Sequence, residues 1–193
     1  HLTNVVFMGM GEPLANYDAL WQAITILTAK EGLGFSPRRL TVSTCGFVPQ
    51  IRRLATEKFP VELAVSLHAA NDELRDRLVP VNRRFPLKML LEAARHYFEK
   101  TGRRPTFEYI LFRGINDSPR HVHELAQLLM GLNCHVNLIP ASASAEFVAS
   151  SPEQIDRFQH ELNAAGISNT VRQSRGHDIR AACGQLRSRW REH

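Results

Sequence analysis

The chain has 193 residues, 24 Lys+Arg against 19 Asp+Glu, and 44% hydrophobic residues. That length suits one domain with a continuous core, and only 22% charged residues excludes a disordered chain. No apolar run approaches the roughly 18–20 residues of a membrane span, and no signal-peptide pattern opens the chain. Three cysteines are no disulfide framework, so a reducing, cytoplasmic setting is expected.

In chain order, short β-rich runs fall at Asn4–Met8, Leu40–Ser43, Val61–Leu67, Thr106–Phe112, His135–Ile139 and Asn169–Arg172. Helical spacing lies between them. It is carried by Leu20, Ile24 and Leu27 near Asp18–Ala29, by Ile51 and Leu54, and by Leu87, Leu90, Leu91, Ala94 and Tyr97. Further along it is carried by Val122, Leu125 and Leu129, and by Ile155, Phe158 and Leu162. Such alternation predicts βαβ units and a parallel sheet. Apolar runs such as Asn4–Met8 read as strands buried on both faces. Ser118-Pro119 and Ser151-Pro152 read as helix starts, and Gly102, Gly131 and Gly166 as helix ends. Neither a repeat nor an interdomain linker is evident, so residues 1–193 are expected to form a single domain.

Six such units fit either a doubly wound sheet or most of a barrel. Gly9–Pro13, Ser43–Gly46, Ser66–His68 and Asn137–Pro140 all fall at the C-terminal ends of predicted strands. That edge carries the ligand site in both architectures. Four polar strand ends sharing one cavity favour the barrel.

Gly9-Met-Gly-Glu-Pro13 lets the backbone turn sharply and approach a ligand, and Glu12 offers a carboxylate suited to an ammonium group. It is a poor phosphate cradle, since the third glycine and the P-loop lysine are missing. Ser43-Thr-Cys-Gly46 and Ser66-Leu-His68 supply hydroxyls and an imidazole for a carboxylate, sugar hydroxyls or a base edge. No Gly-x-Ser-x-Gly elbow supports a Ser–His nucleophile. Cys45, Cys134 and Cys183 are too scattered for a metal signature, so no residue is assigned to a metal. Cys183 lies in the most basic stretch, where six arginines between Arg172 and Arg191 face one carboxylate, Asp178. Nearby guanidinium groups lower a thiol pKa. The stretch itself is either a phosphate-neutralising surface or a solvated helix face.

Taken together, these motifs resemble the RlmN/Cfr family of radical S-adenosylmethionine RNA methyltransferases. The resemblance runs through Val5–Leu14, Arg39–Gly46, Leu63–Asp72, Arg77–Asn82, Tyr109–Asn116, Val136–Pro140 and Asp178–Leu186. It implies an α/β fold, a partial (β/α)6 barrel of mostly parallel strands, with S-adenosylmethionine across the strand ends. Gly11 and Glu12 would hold its methionine part, and Ser43, Ser66, Leu67, His68 and Asn137 the remainder. Cys183, in a C-terminal segment of about residues 173–193, would carry the methyl group as S-methylcysteine. The implied activity is methylation of C2 of an adenosine in 23S rRNA and in tRNA. A flavodoxin- or ferredoxin-like electron donor and a monomeric, cytoplasmic enzyme come with it.

Two departures stand out. The family's Cys-x3-Cys-x2-Cys motif for a [4Fe–4S] cluster is absent. The chain therefore reads as a C-terminal fragment that does not cleave S-adenosylmethionine alone, the cluster ligands lying in an N-terminal part. Ala141–Ser150 also replaces the Asn-Pro-rich loop of relatives. Three other readings stay open: C8 methylation, as in Cfr; a non-catalytic RNA-binding remnant; and an aldolase-like barrel. The last lacks a Schiff-base candidate, because Lys30, Lys58, Lys88 and Lys100 fall on predicted helices or their ends.

Overall fold

The structure is a computed structural model that describes residues 2–141 and 147–172. Six strands form: β1 (Val5–Phe7), β2 (Leu40–Thr44), β3 (Glu62–Ser66), β4 (Thr106–Leu111), β5 (His135–Pro140) and β6 (Asn169–Val171). Six α-helices join them: α1 (Tyr17–Thr28), α2 (Val48–Leu54), α3 (Asp72–Leu78), α4 (Leu87–Thr101), α5 (Pro119–Leu129) and α6 (Pro152–Ala164). All six strands and five of the helices stand where the hydrophobic periodicity put them. The unforeseen α3 is rich in charge, Asp-Glu-Leu-Arg-Asp-Arg-Leu, so no apolar stripe announced it.

The strands lie side by side in chain order, β1 to β6, each parallel to its neighbour. Right-handed crossovers that always step in one direction put every connecting helix on the same face. A doubly wound sheet would reverse direction at a switch point. The strand order thus selects the partial barrel.

The two faces of the sheet differ accordingly. Leu40, Val42, Leu63, Val65, Phe107, Tyr109, Val136 and Leu138 alternate along their strands and are at most 1% exposed. They meet the apolar stripes of the helices, for example Tyr109 against Phe158 with ring centroids 5.6 Å apart. Each such side chain contributes about 1.5–3 kcal/mol by burial. The positions between them are polar or small: Thr41, Ser43, Ala64, Ser66, Thr106, Glu108, His135 and Asn137. This face corrects the expectation that β1 is buried on both sides. Val6 is 58% exposed, because helices cover only the opposite face of the strand.

Local signals fix the element ends. Ser151 accepts a hydrogen bond from the Gln154 N–H at 3.3 Å as the N-cap of α6. At α5 Ser118 and His121 form a capping box, in which the Ser118 N–H donates to His121 Nδ1 at 3.3 Å. Helix α4 stops at Gly102, whose φ of 66° closes the last turn. Beyond β4, Phe112 bridges Ala149 in antiparallel fashion and the Arg113 N–H donates to the Val148 carbonyl at 2.9 Å, which anchors the end of the Ala141–Ser150 segment. Among the described residues no helix is long and apolar enough to cross a membrane.

Candidate functional site

Gly9 and Gly11 take φ values of 123° and 93° immediately after β1, a conformation that side chains resist. The turn they make delivers Glu12 to the end of β2. Glu12 Oε1 accepts from the Leu14 N–H at 3.0 Å and so caps the 3-10 turn Pro13–Asn16. Its Oε2 accepts from the Cys45 N–H at 2.7 Å and from the Cys45 thiol at 2.9 Å. A carboxylate has about four acceptor positions, so Glu12 is held rigidly with capacity left for one more donor. Burial, then the bond to Glu12, push the Cys45 thiol up to about 12. At neutral pH it is a hydrogen-bond donor and no nucleophile.

Ser66, Leu67 and His68 leave β3 in a bend that two buried side chains hold. Arg75 of α3, 0% exposed, donates to the Leu67 carbonyl at 3.1 Å, the Ser66 carbonyl at 2.9 Å and the Cys45 carbonyl at 2.8 Å. Its remaining arm meets Asn82 Oδ1 at 2.9 Å, and Asn82 in turn donates to Asp72 and Asp76 at 2.9 and 2.6 Å. On the other side Asn116 donates to the His68 carbonyl at 2.9 Å and to the Ile110 carbonyl at 2.6 Å. Sequence reasoning singled out neither residue. Asn71-Asp-Glu, a capping residue before an acidic first turn, was the available signal for the helix that carries Arg75.

His68 has a φ of 59°, uncommon outside glycine and frequent at functional sites. Its Nδ1 accepts from the Ile110 N–H at 3.2 Å. Burial, with the Arg75 charge second, brings its pKa down to about 4, so the ring is neutral. The proton therefore sits on Nε2, which has no partner among the described residues.

The structure brings most of the expected residues together. Gly11, Glu12, Ser43, Ser66 and His68 stand on the ends of β1, β2 and β3, and Asn137 lies on the polar face of β5. Leu67 is the exception. Its side chain is 0% exposed in the helix-side core, and its N–H and carbonyl are taken by Glu108 O and Arg75. It builds the site wall and offers a ligand nothing directly. Cys183, and the basic stretch beyond Arg172, lie outside the described residues. Cys134, 6% exposed just before β5, is a small apolar filler. None of the four lysines reaches a strand end.

The radical SAM superfamily profile matches residues 1–129. The chain belongs to the radical SAM superfamily. Members of this superfamily in general use S-adenosylmethionine with a [4Fe–4S] cluster. The chain is 50% identical over 191 residues to a probable dual-specificity RNA methyltransferase RlmN of Desulforamulus reducens, covering 98% of this chain and 55% of that protein. It is 54% identical to the protein of the same description from Pelotomaculum thermopropionicum, covering 96% and 51%. A crystal structure of a radical SAM methyltransferase from Sphaerobacter thermophilus superposes with a TM-score of 0.92 at 57% identity, covering 95% of this chain and 55% of that one. The chain thus spans about half the length of the relatives it matches. For the cofactor the chemistry fits: the spare acceptor position of Glu12 is of the kind an ammonium takes, and the free imidazole N–H of His68 of the kind a carboxylate takes. For the cluster the fit fails: among the described residues no group of three His, Cys, Asp or Glu could hold a metal.

Proposed function

We propose that this chain is the cofactor-binding and methyl-carrying part of an RNA methyltransferase that modifies C2 of an adenosine in 23S rRNA and in tRNA. The observation that carries this reading is 50–54% identity, over 96–98% of this chain, to proteins described as dual-specificity RNA methyltransferases. S-adenosylmethionine, when bound, supplies the methyl group and the one-electron chemistry that an electrophilic adenine carbon demands.

The chain's own residues bind and orient. Gly11 lets the backbone approach the methionine end, and Glu12 takes its ammonium. Ser43, Ser66, His68 and Asn137 contact the rest, with Leu67 sealing the wall behind them. The methyl carrier is Cys183. The two other cysteines are unsuited to that role: burial pushes Cys134 up to about 11 and Cys45 up to about 12, so neither is a thiolate at neutral pH. Cluster cysteines from outside these 193 residues, a flavodoxin- or ferredoxin-like electron donor and a monomeric enzyme complete the reading.

The test is nucleoside mass spectrometry of 23S rRNA and tRNA treated with the natural full-length protein, its cluster loaded under anaerobic conditions. The expected product is 2-methyladenosine in both RNAs. 8-Methyladenosine, or no methylated adenosine beside intact cofactor cleavage, contradicts the proposal.

A further inference from the structure

Glu108 sits mid-way along β4 on the face turned away from the helices. Its neighbours Phe107 and Tyr109 are fully buried on the helix side. In register it pairs with Ser66 on one flank and Asn137 on the other, and Asn137 pairs with Thr170. The four residues form one row across β3 to β6, spaced by about 4.8 Å per strand.

Within that row Glu108 is 6% exposed and half satisfied. Oε1 accepts from Asn137 Nδ2 at 3.2 Å. Oε2 is buried with no hydrogen-bond partner among the described residues. Asn137 cannot swing across to serve it, because Thr170 Oγ1 donates to Asn137 Oδ1 at 2.9 Å and His135 Nε2 backs Thr170 at 3.0 Å. Burial raises the Glu108 pKa, the Asn137 bond and the Arg172 charge opposing only in part. Folding alone gains nothing from an orphaned carboxylate oxygen. A ligand that donates to it does.

We propose that Glu108 Oε2 accepts a hydrogen bond from a ribose hydroxyl of the adenosyl group, which makes Glu108 a cofactor-binding residue. This rests on the S-adenosylmethionine reading above. The ligand has three kinds of donor. The ammonium belongs with Glu12, which reaches the end of β2 at Cys45, two strands or about 10 Å from β4. The adenine amino group donates but does not accept. A ribose hydroxyl does both, so it can donate to Oε2 while accepting from Ser66 Oγ, which has no side-chain hydrogen bond among the described residues.

The test is calorimetric titration of the natural full-length protein, cluster loaded, with S-adenosylhomocysteine and its 2′-deoxy and 3′-deoxy analogues. The unsubstituted protein prefers the ribo ligand over one of the analogues by about tenfold or more. Glu108→Gln loses that preference, binds the ribo ligand about tenfold more weakly, and unfolds without ligand at the same or a higher temperature, since the substitution removes an unpaired buried charge. A variant that keeps the full preference overturns the ribose contact and leaves the cofactor reading intact. An unsubstituted protein that binds none of the three ligands overturns both.

Discussion

The guanidinium of Arg75 lies 2.8 Å from the carbonyl oxygen of Cys45, and the same nitrogen lies 2.9 Å from the carbonyl of Ser66. One buried cation thereby ties together the ends of β2 and β3, the two strands that present Ser43 and Ser66. Burial draws the Arg75 pKa down only to about 10, so the group stays charged. Its neutralising carboxylates, Asp72 and Asp76, reach it through Asn82. Arg75→Met leaves three carbonyls without donors, and at about 1–3 kcal/mol each the variant should lose about 3 kcal/mol or more of stability. Urea titration checks this. A loss below 1 kcal/mol would mean that water replaces the guanidinium freely.

The Glu12–Cys45 contact predicts a protected thiol. With its pKa pushed up to about 12 from an ordinary 9.0, Cys45 holds about a thousandfold less thiolate at pH 8 than in the unfolded chain. Iodoacetamide labelling followed by peptide mapping should show Cys45 alkylated slower by that order in native protein. Equal rates in native and unfolded protein would rule out the contact.

Much of this arrangement is written in local patterns. The six strands were legible as short β-rich runs, in two of which Leu40 and Val42, and Leu63 and Val65, recur every second residue, and the strand-end location of Gly11, Glu12, Ser43 and Ser66 followed from that. What held those ends in place was hidden. Arg75 lies in a charge-rich heptapeptide that reads as solvated surface, and its burial depends on carbonyls contributed from 30 and 9 residues away. Glu108 stood inside an apolar strand, yet its partners come from β3 and β5, so only strand order reveals the row. β1 read as doubly buried because its composition is apolar, whereas no helix among the described residues covers its second face.

His68 gives the site a pH response of definite sign. Its folded pKa of about 4 lies below its ordinary 6.5. The unfolded chain therefore takes up the proton first, and acid favours unfolding. Stability should be intact above about pH 6.5, fall as pH drops through the window, and level off below about 4, a loss on the order of 3 kcal/mol. His68→Asn keeps a residue that tolerates positive φ and removes the titration. The stability difference between the two proteins should change across pH 6.5–4. Parallel curves would show that His68 is solvated and ordinary.

The most direct test of the account addresses Cys183. The natural full-length protein, its cluster loaded anaerobically, is given S-adenosylmethionine with an isotope-labelled methyl group, then digested with trypsin, and the peptide Ala181–Arg187 is weighed. The account predicts the label on Cys183. An unlabelled Cys183 beside a loaded cluster and cleaved cofactor would contradict the methyl-carrier role and the methyl transfer built on it.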